Sequence, residues 1–119
     1  MKAFSEALAK GAVAQLKHLN LSINQIGDIG MRFFSEALEK GAMAQCQTLF
    51  LGGNKIGDKG MEAFSQALAS GALANLKELH LWENKIGDAG MAALAEACRA
   101  SGARVHGKPA DADPQQQQN

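Results

Sequence analysis

A thirty-residue period constrains this chain more than any other feature. Met1, Met31, Met61 and Met91 stand 30 residues apart. Asn24, Asn54 and Asn84 keep the same spacing, followed by Ile26, Ile56 and Ile86. Gly27-Asp28, Gly57-Asp58 and Gly87-Asp88 come next, with Gly30, Gly60 and Gly90 two residues beyond. A fixed period of this length means a stack of supersecondary units, each burying its apolar face against its neighbours. Each unit has two halves. Residues 57–70 place Met61, Phe64 and Leu68 at helical spacing, so one face of a helix is buried. Asp58 is expected to cap its own helix, as are Asp28 and Asp88 in the equivalent stretches 28–40 and 88–101. Gly71 is expected to stop the helix by adopting the left-handed conformation just beyond it. Glu6 with Lys10 and Glu36 with Lys40 are spaced for i,i+4 pairing on the outer face.

The other half reads Leu76-Lys-Glu-Leu-His-Leu-Trp-Glu-Asn84 and alternates at Leu79 and Leu81, a short strand with one buried face. A strand, a crossover helix and a next strand pair in parallel. The repeated pattern L-x-x-L-x-L-x-x-N-x-I-G-D-x-G resembles the leucine-rich repeat, in particular its ribonuclease-inhibitor-like class. Similar arrays occur in NACHT-type innate immune receptors and Ran GTPase-activating proteins. The resemblance covers about residues 1–102 and implies a short right-handed α/β solenoid, with parallel strands on its concave side and helices on its convex side. It implies a binding scaffold but no particular partner.

The expected organisation is a repeat domain over 1–106, built from units 1–30, 31–60 and 61–90 and a capping helix at 91–102. Residues 103–109 lack the leucines of a fourth strand, which leaves three strands and four helices. Residues 107–119 end in Asp-Pro, four Gln and Asn, a composition expected to form a disordered polar tail. Met1 stands in the register of the internal methionines. That fits an array beginning here, or the expected alternative, the end of a longer one, because terminal repeats carry an atypical capping face. Without a fourth strand, strands 18–21 and 78–81 would present open edges that invite self-association.

Charge and composition narrow the function. Twelve basic and twelve acidic residues leave no net charge, against the basic footprint of a nucleic-acid binder. No apolar run approaches the roughly 20 residues that cross a bilayer. The two cysteines, Cys46 and Cys98, replace leucines of the repeat and read as small core residues of a cytoplasmic protein. Asn24, Asn54 and Asn84 form a ladder expected to bond backbone groups where the chain leaves the strand. The aspartates offer one carboxylate per unit, too few for calcium. His18 and His80 sit two strands apart, too far to share a metal ion. No catalytic constellation assembles, so no enzyme, metal or cofactor is expected.

What remains is the outward set of the strands, in which Phe50 and Trp82 have no core role. The expected site for a protein partner is Phe50, His80 and Trp82, with Glu78, Glu83 and Asn20 around them. Phe50 and His80 would be cross-strand neighbours, and Trp82 would lie beside Gly52 and Ser22. Two other roles fit the scaffold: a structural spacer within a longer receptor array, and a GTPase-activating regulator, onto which no residue of this chain can be matched.

Overall fold

The computed structural model describes residues 16–107. Four three-residue strands alternate with three helices: β1 (His18–Asn20), α1 (Gly27–Glu39), β2 (Thr48–Phe50), α2 (Asp58–Ala69), β3 (Glu78–His80), α3 (Asp88–Ser101) and β4 (Arg104–His106). The strands form one parallel sheet in the order β1-β2-β3-β4. Consecutive helices pack on each other along one side. The 30-residue period appears directly in the register, which sets Leu19 against Leu49 and Leu49 against Leu79. The helix expected in the first unit and residues 108–119 of the expected tail lie outside the described residues.

The fourth strand corrects the sequence reading. Residues 104–106 pair in parallel with β3 although the repeat's leucines are missing there. Parallel pairing is made by backbone groups, so it tolerates sequence change as long as one inward residue is apolar. Val105 meets that need, standing against Leu79 and packing on the core. The ladder closes with Arg104 N–H donating to Lys77 O at 2.8 Å and Leu81 N–H to His106 O at 2.9 Å. The edge of β3 is therefore covered.

The core lies between sheet and helices. Leu49, Leu51, Leu79 and Leu81 meet Met31, Phe34 and Leu38 of α1, Met61, Phe64 and Leu68 of α2, and Leu94 of α3. Each such side chain contributes about 1.5–3 kcal/mol relative to an exposed one. Cys46 and Cys98 are buried in the same core as thiols, with no disulfide between them. Helices α1 and α2 end alike. Gly71, at φ 101°, donates to Leu68 O, and Ala72 donates to Ala67 O, the paired bonds of a Schellman motif. Gly41 and Ala42 repeat those bonds to Leu38 and Ala37. Lys40 falls just past the end of α1. Among the described residues the expected Glu36–Lys40 ion pair does not form, whereas Arg99 and Glu96 pair at 3.3 Å, both well exposed.

The aspartates are also corrected. None bonds the amides of its own helix. Asp28 Oδ1 accepts from Gly57 N–H at 2.7 Å and Gly60 N–H at 2.8 Å, at the start of α2. Asp58 Oδ1 does the same for Gly87 and Gly90 of α3, at 2.7 and 2.9 Å. Each carboxylate thus satisfies unbonded amides and faces the positive end of the next helix in the stack. A Cβ on Gly60 would lie 2.6 Å from Asp28 Oδ1, so the glycine recurs because the carboxylate occupies that space. Asp88 is exposed and caps no helix among the described residues.

Candidate functional site

Where each chain leaves its strand, an asparagine holds the loop. Asn54, 0% exposed, donates from Nδ2 to Leu51 O, Gly52 O and Leu21 O at 2.9–3.1 Å. Its Oδ1 accepts from Asn24 N–H at 2.8 Å and Ile26 N–H at 3.3 Å. Asn84 accepts from Asn54 and Ile56 N–H, both at 3.0 Å, and donates to Leu51 O and Leu81 O. The Asn24 side chain bonds only Leu21 O and Ser22 O among the described residues. The ladder joins each repeat to the one before it, as the aspartates join each to the one after it.

These links hold the strands in register and so compose the face opposite the helices. One column across the sheet reads Asn20, Phe50, His80 and His106. The Phe50 and His80 rings stack with centroids 4.4 Å apart and an interplanar angle of 14°. His80 and His106 stack at 4.5 Å and 11°. Trp82 leans on His80, centroids 4.9 Å apart at 51°, and remains 51% exposed. Its backbone is flanked by two glycines. A Cβ on Gly52 would lie 3.1 Å from Trp82 O, and one on Gly107 would lie 2.6 Å from Trp82 N. The expected tail therefore starts with a residue seated against Trp82.

Of the residues singled out in the sequence, Phe50, His80 and Trp82 form one continuous surface. Asn20 continues the column but turns its Oδ1 back to Ser22 N–H at 2.9 Å. Glu78 is not a free rim carboxylate: its Oε1 lies 2.5 Å from His106 Nε2. Arg104 stands beside it in register, so the rim is less acidic than the sequence suggests. Glu83 is exposed in a left-handed turn (φ 59°). The residue that sequence reasoning missed is His106. Its signal was the offset between Arg104-Val-His106 and Glu78-Leu-His80, which repeats a polar-apolar-histidine pattern without the leucines.

Burial, and then the neighbouring His106, hold the pKa of His80 below its ordinary value, with Glu78 opposing them. Its Nδ1 is enclosed and has no hydrogen-bond partner among the described residues. Burial pushes the Cys46 thiol up to about 11, against a weaker opposing bond to Thr48 O, so it is no nucleophile. Glu78, His80 and His106 place their ligand atoms within 4.8 Å of one another. Strand spacing keeps His18 away from His80, but His106 reaches it from the other side. Among the described residues no helix is long and apolar enough to cross a membrane.

A parallel sheet whose first three strands keep a 30-residue register, a helix between each pair of successive strands and an asparagine ladder define a protein of the repeat-solenoid class. The sequence matches the leucine-rich repeat family over residues 15–35, 47–65 and 72–95, more than half of the chain. The chain belongs to the leucine-rich-repeat family. Its fold is similar to a solved structure of Leiomodin-1 Actin-Binding Site 2 (ABS2), with a TM-score of 0.70 and 20% sequence identity. That likeness covers 87% of this chain and 60% of the other, so the chain spans less than two thirds of its structural neighbour. No curated protein matches the sequence. Family and fold together mark a protein-interaction module.

Proposed function

We propose that the chain binds a protein partner on the open, concave face of its sheet, with Trp82 as the anchor. The observation that carries this is the stack Phe50–His80–His106 with a half-exposed Trp82 against it. Such a surface buries large area at little loss of side-chain freedom, which is why tryptophan is enriched among interface hot spots. With Glu78 engaged by His106, the preferred partner element is an apolar side chain inserted beside Trp82, and a basic flank matters less. The helix between each pair of described strands supports the ribonuclease-inhibitor-like class. The two buried thiols support a reducing, cytoplasmic setting.

Actin is the first probe, because the structural neighbour is an actin-binding site. Co-sedimentation with filaments and binding to monomers test it directly. Quantitative capture from a lysate by the wild-type chain and by Trp82→Ala tests the face whichever partner is found. Trp82→Ala is expected to weaken binding by at least about 2 kcal/mol while leaving the melting temperature nearly unchanged. Lost stability with binding intact would make Trp82 a packing residue and remove the concave face from consideration.

A further inference from the structure

We propose that Glu78, His80 and His106 form a binding site for one zinc-type divalent transition-metal ion on the open face of the sheet.

The placement follows from the fold. Residues two apart on a strand share a face, which sets Glu78 beside His80. The parallel register then sets His106 against His80 from the adjacent strand. All three ligand atoms lie within 4.8 Å of one another. Two of them, Glu78 Oε1 and His106 Nε2, are already 2.5 Å apart. An ion with bonds of about 2.0–2.2 Å replaces that contact by bridging the same oxygen and nitrogen. The two stacked imidazoles must tilt toward each other to meet the ion, a rotation about side-chain bonds that leaves the strands in place.

The donor chemistry selects the ion. Two imidazoles and one carboxylate suit zinc, copper or nickel, whereas magnesium and calcium require oxygen ligands. Three protein ligands leave a fourth position for water or another donor. His80 contributes a ring whose Nδ1 has no hydrogen-bond partner among the described residues. The site is half-buried, so an ion can reach it from solvent.

The test needs no protein partner, so its failure would leave the concave-face reading standing. Zinc chloride is titrated into the full chain at pH 7.5 by calorimetry, with magnesium as control. A single saturating equivalent and a raised melting temperature are expected for zinc, and neither for magnesium. Trp82 is the sole tryptophan and touches His80, so nickel should quench its fluorescence with the same stoichiometry. His80→Gln and His106→Gln should each lower zinc affinity at least about tenfold, the loss that even an outer-shell partner can produce. His18→Gln, on a strand that does not adjoin β3, should leave it unchanged. If either histidine variant fails to fold, Glu78→Gln decides, since its amide can still bond His106 but coordinates poorly. No saturable zinc uptake, or equal uptake by the His80→Gln/His106→Gln double variant, would show an adventitious ion only and overturn the proposal.

Discussion

Ile23 is held at φ 58°, in the left-handed region, and is 82% exposed. Its equivalents one and two periods on are Gly53 and Glu83, at φ 67° and 59°, so the turn itself demands the conformation. A β-branched residue is the worst choice there, because Cβ crowds the following carbonyl at roughly 1–2 kcal/mol. Asparagine visits this region readily. Ile23→Asn is expected to raise stability by up to about 1 kcal/mol, measured by urea denaturation; a loss would show that the contact of Ile23 with Gly53 outweighs the strain. Cys46 gives a second residue-scale test. Its thiol ionises near 11 when folded and near 9.0 ordinarily, so between those values the unfolded chain binds fewer protons. The contribution of Cys46 is full below pH 9.0 and is lost as pH rises toward 11. Cys46→Leu restores the residue of the sibling positions Leu16 and Leu76, and should lose less stability than wild type over that interval. Parallel losses would contradict the burial of the thiol.

Helices and strands here are coupled mainly along the stack. Asp28 and Asp58 cap the next helix rather than their own, and Asn54 and Asn84 each satisfy carbonyls and amides in two repeats. Removing such a side chain leaves buried partners unpaired, costing about 1–3 kcal/mol. Asn54 bonds both the Leu21 and Leu51 carbonyls and is wholly buried, whereas among the described residues the Asn24 side chain reaches only its own turn. Asn54→Ala should therefore be the most damaging of the three alanine variants and Asn24→Ala the least. Denaturation of the three proteins side by side gives the order. Equal, near-zero effects would mean that the ladder carries no stability.

At the scale of the whole molecule, β1 and β4 each have one strand neighbour among the described residues. Unpaired strand edges are templates for association, though the exposed Arg104 blunts the β4 edge. The expected outcome is self-association that rises with protein concentration in sedimentation velocity. A monomer at the highest concentrations reached would contradict it.

The period, the buried leucines and the alternation of strand residues were legible in the sequence, because local backbone preference and burial repeat with the same spacing. The pairing of Phe50 with His80 is legible for the same reason: in a parallel stack, one period along the chain is one strand across the sheet. Tertiary structure decided what depends on contacts between repeats. An aspartate looks like the cap of its own helix until the neighbouring helix, whose amides it reaches, is in place. Arg104-Val-His106 looks like a failed strand until β3 supplies the backbone partners that pair without regard to side chains. His106, and with it the histidine pair and Glu78, came together only through that pairing. A sequence pattern records which face a residue occupies, while the distance between two side chains is set by how the elements are stacked.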